Sequence, residues 1–455
     1  MSEQKKMSRR NYLKYVAGGA VVVAAAGVGY GLYAGSQAPT PPITQTATVT
    51  QGATVTGAPT TAAGRLVKSD WWTGQRAFDG DATAMLIGEY NEIYVGDHEV
   101  TQGYPGVWND VYGKLTAAYK AGSGMPDGVM MHTSEIPIFG GNAAAPLDDL
   151  VKGPDGLDPS NYVKGAWDAS FAADGKQYCV PWDCHCMSMY VNIDAHNKYN
   201  IEVPVEIASV DALVDYWRSI KKASGGKVYP TVLDTQTVDL WWMSIANYAE
   251  MDDFFTKDLT APNIRTDKWN HAFEVYETIA KEKLAPASNS HTDLITMFGR
   301  GDVATNIYGP WMMGTWDSLP ALTYTVCQLK WPIWGGSHAM YLTTAARAQK
   351  DREAKMWRWL KWMHRPANNG RYGEYSGMIP ATITGQNYLG YKVNPQRQIY
   401  AAQSAYTKTT QPTLHLWEMM DIFNAHLSAM SLLSENAQQA QDAIEQELTK
   451  LADGN

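Results

Sequence analysis

Short strand-like runs alternate with amphipathic segments from Arg65 to the end of the chain. This alternation predicts an α/β fold, with helices packed on sheets of mostly parallel strands. With 455 residues, the chain is long enough to bury a large core and to form two or three folding units. The predicted strands include 65–72 and 127–131, and the predicted helices are 82–94, 112–121, 210–223, 267–283, 352–364 and 437–452.

The N-terminal residues carry targeting information. Residues 8–14 read Ser-Arg-Arg-Asn-Tyr-Leu-Lys and resemble the twin-arginine export signal. The uncharged run 15–35 that follows is long enough to cross a hydrocarbon core of about 30 Å, at about 1.5 Å per helical residue. Positive charges before this run predict that the N-terminus stays in the cytoplasm. Residues 1–35 are therefore predicted to be a twin-arginine-type signal or a membrane anchor.

Residues 36–64 have the composition of a stalk. They are rich in Thr, Pro and Ala, carry no charged residue and contain few bulky apolar side chains. Such a segment cannot bury enough surface to offset the entropy of ordering, so an extended spacer is predicted. An anchor and a stalk predict a domain tethered to the outer face of the cell membrane, as in an archaeon, or a secreted domain if the signal is cleaved.

The overall composition excludes some classes of partner. A net charge of -9 argues against nucleic acid or an anionic lipid surface, because both need a positive field. The 17 tryptophans and 26 tyrosines predict a heavily aromatic core, aromatic platforms for a ligand, or both. Four cysteines are too few for a disulfide framework, although a pairing of Cys179 or Cys184 with Cys327 stays open.

Short motifs follow one another in a recognisable order through the globular part. Two of them are Gly-Lys-Gln-Tyr-Cys-Val-Pro at 175–181 and Phe-Gly-Arg-Gly-Asp-Val-Ala at 298–304. The others lie at 114–118, 126–130, 146–150, 190–192, 309–311, 335–337, 353–362, 377–380 and 437–451. In this order the chain resembles the extracellular solute-binding proteins of carbohydrate-uptake ABC transporters, the family that includes maltose-binding protein. The resemblance covers essentially all of 65–455.

The resemblance implies a two-lobed periplasmic-binding-protein fold, also called a Venus-flytrap fold, with two α/β lobes joined by three hinge crossings. Lobe 1 is expected to comprise 65–183 plus 338–405, and lobe 2 to comprise 184–337 plus 406–455. A ligand that contacts both lobes across the cleft would favour the closed form. The implied partners are a carbohydrate ligand and the permease subunits of an ABC transporter, with the binding protein itself a monomer.

Candidate ligand-binding residues come from strand ends and from the resemblance. Ligands collect at the carboxyl ends of strands in open α/β sheets, which favours residues that end the first predicted strand or directly follow the second. The family pattern adds residues at the second crossing and beyond, although core packing or loop capping is the competing explanation for several of them. The candidates are Trp71, Trp72, His132, Thr133, Ser134, Trp311, Trp334, Gly336, Ser337, Tyr375 and Trp417.

The run Asp183-Cys184-His185-Cys186 has the residue types of a metal site but not the geometry of one. The resemblance makes this run an extended strand along the cleft wall. Alternation on a strand sends Asp183 and His185 to one face and the two cysteines to the other. A tetrahedral metal needs convergent ligands, and the chain has no second Cys/His pair at metal spacing. No metal and no cofactor are therefore expected, and Asp183 and His185 are predicted to face the ligand.

Two functions of different classes fit these observations. The first is a non-enzymatic, surface-anchored binding protein that captures a neutral sugar or oligosaccharide, since few Lys or Arg residues fall at the expected cleft positions. The second is an extracellular glycan hydrolase, which would need a second carboxylate beside Asp183. A peptide or another solute stays open as the ligand of a binding protein.

Overall fold

The computed structural model describes residues 66–75, 77–235, 241–287 and 289–453. The predicted signal or anchor at 1–35 and the predicted stalk at 36–64 lie outside these ranges. Among the helices in the described ranges, none combines the length and apolar character needed to cross a bilayer.

Thirteen strands in the described ranges form three sheets. They are β1 (Val67–Trp72), β2 (His98–Gly103), β3 (Gly128–His132), β4 (Val180–Pro181), β5 (Asp183–Cys186), β6 (Ser188–Asn192), β7 (Glu206–Ile207), β8 (Thr305–Tyr308), β9 (Tyr324–Leu329), β10 (Ile333–Gly336), β11 (His338–Leu342), β12 (Ile379–Pro380) and β13 (Thr407–Lys408). The first sheet has the order β2-β1-β3-β11-β4, the second β12-β5-β10-β13 and the third β7-β9-β6-β8.

The second sheet is built from segments that connect the other two. The chain leaves the first sheet at β4, passes through β5 and enters the third sheet at β6. It returns from β9 through β10 to β11. β5 and β10 pair with each other in antiparallel fashion at the centre of this connecting sheet. The predicted lobe boundaries at 183/184 and 337/338 fall in these two passages and stay predictions.

Helices cover and separate the sheets. They are α1 (Ala77–Ile93), α2 (Trp108–Ala121), α3 (Ile136–Phe139), α4 (Asp148–Val151), α5 (Lys164–Asp168), α6 (Ile193–Tyr199), α7 (Val210–Ser224), α8 (Ala246–Tyr248), α9 (Asp267–Lys281), α10 (His291–Arg300), α11 (Met313–Asp317), α12 (Thr344–Arg347), α13 (Lys350–Met363), α14 (Pro366–Ser376), α15 (Ile383–Gln386), α16 (Leu389–Lys392), α17 (Pro395–Gln403), α18 (Leu416–Ser431) and α19 (Ala437–Asp453). Short 3₁₀ turns at Thr133–Glu135, Pro159–Asn161, Pro310–Met312 and Ser404–Tyr406 and a π-helical turn at Trp241–Ile245 complete the elements.

Local sequence explains where the longer helices begin and end. α7 begins after Ser209, whose hydroxyl accepts a hydrogen bond from the backbone N–H of Ala212. It ends at Gly225, which takes the left-handed conformation at φ 60° that glycine adopts without a steric penalty. The helices predicted from the sequence at 210–223, 267–283, 352–364 and 437–452 correspond to α7, α9, α13 and α19, with ends that differ by at most two residues.

The prediction of mostly parallel strands is wrong. β1 is parallel to β2 and β3, but β11 runs antiparallel to both β3 and β4. In the third sheet, β6 is antiparallel to both β8 and β9. The physical reason is the passage between sheets: a strand that returns from a neighbouring sheet enters from the opposite end, and it therefore pairs in the antiparallel direction.

Aromatic side chains fill much of the core, as the composition indicates. Trp71, Trp182, Trp217, Trp241, Trp269, Trp316 and Trp359 are all fully buried. Several of these rings pack edge to face, which suits the negative face and positive edge of an aromatic ring. Trp71 meets Trp359 in this way, with ring centroids 6.5 Å apart.

Candidate functional site

β5 presents two different faces, and only one of them belongs to the candidate site. Asp183 and His185 lie on the same face, because Nδ1 of His185 is 3.1 Å from the Asp183 carboxylate. Cys184 and Cys186 alternate with them, and the Cys186 thiol lies 3.9 Å from the carbonyl oxygen of Tyr400. The strand therefore behaves as alternation predicts, with polar groups toward the site and small sulfur-bearing side chains toward the core.

All four cysteines are buried free thiols, so the pairing left open with Cys327 is not formed. Burial raises the pKa of Cys179, Cys186 and Cys327 to about 12. It raises the pKa of Cys184 well above its usual value as well. A thiol that stays protonated is a poor nucleophile and a poor metal ligand. The cysteines are packing residues.

Asp183 is fully buried and all its acceptor positions are occupied. Its Oδ1 accepts from Nδ1 of His185 and from the backbone N–H of His338, at 3.1 Å each. Its Oδ2 accepts from Nδ1 of His338 and from the hydroxyl of Tyr372, at 2.8 Å each. A carboxylate has about four acceptor positions, so none is left for a ligand. The expectation that Asp183 faces the ligand is therefore not met: the side chain orients two imidazole rings.

The electrostatics of Asp183 match this role. Burial alone would raise the pKa of its carboxyl group, but the charge of His338 and the hydrogen bonds from both histidines outweigh burial and hold the pKa well below its usual range. Asp183 is therefore an anion at neutral pH. An ionised carboxylate is an acceptor only, so each histidine must donate its Nδ1–H to it. In a neutral ring this leaves the lone pair on Nε2.

Three histidines from three strands meet beside Asp183. Ring centroids are 4.5 Å apart for His132–His338 and for His185–His338, and 5.5 Å apart for His132–His185. One ligand-capable atom of each ring lies within 4.8 Å of those of the other two. Burial, followed by the neighbouring histidine charges, lowers the pKa of His132 and His185. Both rings are therefore neutral at physiological pH.

Backbone pairing brings these histidines together. In the β3–β11 ladder, His338 lies directly opposite His132. In the β5–β10 ladder, His185 lies opposite Gly336, two residues before His338. The cluster therefore lies where the connecting sheet joins the first sheet. Tyr112 on α2 holds the third ring, because its hydroxyl is 2.6 Å from Nδ1 of His132.

Four half-buried tryptophans surround the histidines. Trp108 stacks on His338 with ring centroids 4.7 Å apart. Trp311 and Trp334 lie 5.8 Å and 5.5 Å from His185. Trp242 contacts Trp334 at 4.7 Å and Trp311 at 5.8 Å. Because none of the four is fully buried, these rings can offer part of their surface to a bound molecule.

The position of Trp311 depends on the glycine at residue 309. A Cβ atom at Gly309 would lie 1.9 Å from the Trp311 ring, so any larger residue would displace the indole. Trp334 is fixed in another way, because its Nε1–H donates to the hydroxyl of Thr410 at 3.0 Å. Both indoles are therefore held by the fold rather than left to rotate freely.

A pocket of about 710 Å³ opens beside the histidine and tryptophan clusters. His132, Thr133 and Ser134 line one side, and Trp334 and Gly336 line another. The other lining residues come mainly from the segments 136–140, 168–174 and 409–414. Five of the residues predicted from the sequence therefore share one pocket, and its volume is that of a site for a small or medium-sized ligand.

Glu135 is a buried carboxyl group next to this pocket. It is 1% exposed, and burial raises its pKa to about 7. The Nε1–H of Trp417 and the hydroxyl of Ser134 donate to it, each at 3.4 Å. Trp417 in turn packs against Tyr112, with ring centroids 5.7 Å apart. Trp417 therefore supports the wall of the pocket through Glu135 and Tyr112.

The other predicted residues lie elsewhere or are engaged in packing. Trp71 is fully buried, which makes it a core residue and corrects its selection as a ligand contact. Trp72 is half-buried, and its ring lies against Gly103. Ser337 is buried and its hydroxyl donates to the backbone carbonyls of Asp183 and His338. Tyr375 is 44% exposed on α14.

Several residues of the site were not predicted from the sequence. They are Trp108, Tyr112, Glu135, Trp242, His338 and Tyr372. His338 had a signal, because it directly follows the crossing motif at 335–337. The others lie on helices or turns far along the chain, where an aromatic residue at helical spacing is more often core.

Comparison with known proteins identifies the family. The family model described as bacterial extracellular solute-binding protein matches residues 86–387, which is more than half of the chain. The chain belongs to this family. No curated protein matches the sequence closely enough to count as a relative. The family assignment confirms the resemblance seen in the motifs.

Comparison with solved structures shows which fold the chain has. The GacH receptor of Streptomyces glaucescens, solved without ligand and with acarbose, has a TM-score of 0.71 at 16% identity over 86% of this chain and 99% of that one. The maltose/maltodextrin-binding domain MalE from Bdellovibrio bacteriovorus, bound to maltotriose, scores 0.68 at 17% over 85% and 99%. UgpB from Mycobacterium tuberculosis, in complex with glycerophosphocholine, scores 0.73 at 17% over 85% and 99%. These matches confirm the two-lobed fold.

Proposed function

We propose that this protein is the substrate-binding subunit of an ABC importer and captures a neutral sugar or oligosaccharide in the pocket beside Trp334. The family fixes the general role of solute capture outside the cytoplasm. The observation that supports a sugar is the cluster of Trp108, Trp242, Trp311 and Trp334, all half-buried around one polar centre. We further propose that residues 1–64 anchor this subunit at the outer face of the membrane, where a permease would receive the solute.

Stacking explains why such a cluster suits a carbohydrate. A pyranose ring has one face of C–H groups that packs on an indole and a rim of hydroxyl groups that needs hydrogen-bond partners. Thr133 and Ser134 line the pocket and can supply such partners. His132 can supply another, since it lines the same pocket. The acarbose and maltotriose complexes of the similar structures are consistent with this ligand class.

The charges near the pocket favour a neutral solute. Among the described residues, the lining contains two carboxylates, Asp168 and Asp174, and neither Lys nor Arg. Recognition of a phosphate or carboxylate group normally uses a basic side chain. An anionic solute would therefore be poorly matched in this pocket.

A hydrolase is the weaker alternative. Glycan hydrolysis needs a carboxylate free to act as a nucleophile or base. Asp183 is not free, because its acceptor positions are filled by His185, His338 and Tyr372. The carboxyl group of Asp79 senses the charge of Asp183, and burial followed by that charge raises its pKa, which favours its protonated form. We infer capture without turnover.

A solute with a quaternary ammonium group is the second candidate. Clustered tryptophan faces attract such cations, and the lining carboxylates would add to the attraction. The similar UgpB structure holds glycerophosphocholine. A polyol joined to an ammonium group would therefore also suit the cluster of rings.

A thermal-shift screen of the full chain tests the proposal. The panel should contain mono- and oligosaccharides, choline-type ammonium solutes, short peptides and simple anions, with calorimetry on every hit. A ligand at 100 times its dissociation constant stabilises the folded state by about 2.7 kcal/mol, which is visible as a melting shift. Shifts with sugars, without product over several hours, support sugar capture. Shifts with ammonium solutes, peptides or anions alone would overturn it, and turnover of a glycan would establish the hydrolase.

Substitution of a stacking residue gives the second arm of this test. Trp334→Ala should weaken sugar binding about tenfold or more, because Trp334 lines the pocket and one stacked ring contributes roughly 1 kcal/mol beyond the area it buries. Tyr229→Ala is the matched control, since Tyr229 is an exposed aromatic residue at 41% exposure outside the pocket. Equal affinities of both variants and the natural chain would contradict the stacking model.

A further inference from the structure

The buried histidine cluster contains a nitrogen atom that no protein group satisfies. Nε2 of His185 has no hydrogen-bond partner, although the side chain is 1% exposed. A buried polar atom without a partner is costly, and its persistence usually points to a ligand, an ion or a water. The atom lies in the same cluster as His132 and His338, so the three rings can share one bound species.

The hydrogen-bond partners at Nδ1 of the three histidines are of the kind found around metal-ligating histidines. Asp183 binds Nδ1 of His185 and of His338, and the hydroxyl of Tyr112 binds Nδ1 of His132. In metal sites, a ligating histidine commonly uses its other ring nitrogen in a hydrogen bond to a carboxylate or similar group, which fixes the ring orientation. Here that nitrogen is occupied in all three rings, and Nε2 is the atom that remains.

Gly336 keeps a side chain away from the unpaired nitrogen. A Cβ atom built at Gly336 would lie only 3.1 Å from Nε2 of His185, so a larger residue there would crowd this atom. Gly336 and His132 both line the pocket. A species held by the three rings would therefore be reached from the pocket side.

We propose that His132, His185 and His338 form a three-histidine site for a divalent transition-metal ion, with an open coordination position toward the pocket. Neutral imidazole nitrogen atoms suit Zn²⁺, Cu²⁺, Ni²⁺ or Co²⁺ better than Mg²⁺ or Ca²⁺, which prefer oxygen. Three histidines and one exchangeable position form a recurrent zinc arrangement. The proposal is independent of the solute, because it concerns the metal alone.

The geometry needs only a small adjustment to bind an ion. With metal–nitrogen bonds of about 2.0–2.1 Å, tetrahedral ligand atoms lie about 3.3 Å from one another. One nitrogen atom of each ring already lies within 4.8 Å of those of the other two. Because χ2 of histidine is broad, ring rotations of modest size can close the difference.

The sequence predicts no metal site here, and the reason is clear. Spacing rules look for ligands that are close in the chain, and Asp183 and His185 stand next to cysteines that point the other way. The three histidines lie on β3, β5 and β11 and become neighbours only when the strands pair.

The first test measures metal retention by the untagged full chain. The protein is incubated with Zn²⁺, freed of unbound metal by gel filtration and analysed by inductively coupled plasma mass spectrometry. We expect about one zinc ion per chain. Co²⁺ loaded in the same way should show the intense visible absorption of a four-coordinate nitrogen site, which solvated Co²⁺ lacks.

Substitutions locate the site. His132→Asn and His185→Asn should each weaken zinc binding at least about 100-fold, since even the loss of an outer partner costs about 10–100-fold. Asp183→Asn tests the outer partner: zinc binding should fall about 10–100-fold, with an altered Co²⁺ spectrum. His271→Asn, at a half-buried position on α9 outside the cluster, is the matched control and should retain zinc like the natural chain.

Each outcome decides for or against the site. Retention of about one zinc by the natural chain and by His271→Asn, with loss in His132→Asn and His185→Asn, supports it. Because the ring of His132 is half-buried, its variant is the one that should fold most readily, and a circular dichroism spectrum checks this. Retention far below one zinc by the natural chain, or undiminished retention by a folded His132→Asn, would overturn the proposal.

Discussion

Asp183 shapes the candidate site without touching what binds there. Its carboxylate accepts four hydrogen bonds from His185, His338 and Tyr372, and these bonds fix the orientation of two imidazole rings. A buried anion without such partners would cost several kcal/mol. Removal of the charge should therefore act through ring orientation, which is why the Co²⁺ spectrum of Asp183→Asn is more informative than its stability.

Glu135 allows a prediction on pH at the scale of one residue. Its pKa is about 7 in the folded protein, mainly because of burial, and about 4.3 in an unfolded chain. Between these values the folded state holds the proton that the unfolded state has lost, so the contribution of Glu135 to stability falls as pH rises through this window. Glu135→Gln removes the titration. Above pH 7 the variant should exceed the natural protein in stability by about 3 kcal/mol.

Urea unfolding at pH 5 and pH 8 measures this effect. The gain from Glu135→Gln should be small at pH 5 and near its full value at pH 8. Tyr112 and Tyr341, the titratable neighbours that sense the Glu135 charge, stay protonated because burial raises the pKa of both. Glu418→Gln, at an exposed position on α18, is the matched control for the chemical substitution itself. A gain that is equal at both pH values would refute a raised pKa.

At the scale of the element, one face of β5 belongs to the candidate site and the other face packs in the core. The face with His185 belongs to the site, whereas Cys184 and Cys186 contact the core. Cys184→Ser and Cys186→Ser should each lower the free energy of unfolding by about 1–3 kcal/mol, because a hydroxyl is buried where a weakly polar thiol was. Ligand affinity should stay within about twofold of the natural chain.

Calorimetry for affinity and urea unfolding for stability separate the two effects. A thiol-alkylating reagent adds a control that needs no mutation: in the folded protein the four buried thiols should react slowly, and in urea they should react fully. Loss of ligand binding after brief alkylation of folded protein would mean that a cysteine reaches the pocket.

The same strand shows what sequence reasoning can reach. Alternation correctly predicts that Asp183 and His185 share a face, and the family motif at 335–337 correctly marks the passage between sheets. Both are local signals, since they depend on a few consecutive residues. The helices α7, α9, α13 and α19 were predictable for the same reason, because their apolar positions repeat at helical spacing.

Features that depend on strand pairing were not predictable. His132 and His338 are opposite each other only because of the β3–β11 register, and they are more than 200 residues apart in the chain. Trp71 and Trp72 show the same limit at closer range. Alternation says that they point to opposite faces, but only the sheet order decides which face meets Trp359 in the core.

At the scale of the whole molecule, the connecting sheet both carries residues of the candidate site and links the other two sheets. β5 and β10 link the first and third sheets, and they also carry His185, Trp334 and Gly336. The pocket is lined both by the 3₁₀ turn and short helix after β3 and by the segment after β13. A ligand that contacts both walls should favour a closed arrangement, since only that arrangement makes both sets of contacts.

Hydrogen exchange of the full chain tests this coupling. Closure around a ligand should slow the exchange of backbone amides in β5 and β10, because opening of these strands would then require loss of the ligand contacts as well. At 100 times the dissociation constant, the slowing at amides that exchange only through such opening should approach about 100-fold. Amides in α9, which lines no part of the pocket, serve as the internal control for local effects. Slowing confined to the segments 132–140 and 409–414, with β5 and β10 unchanged, would mean that the ligand binds without engaging the connecting sheet.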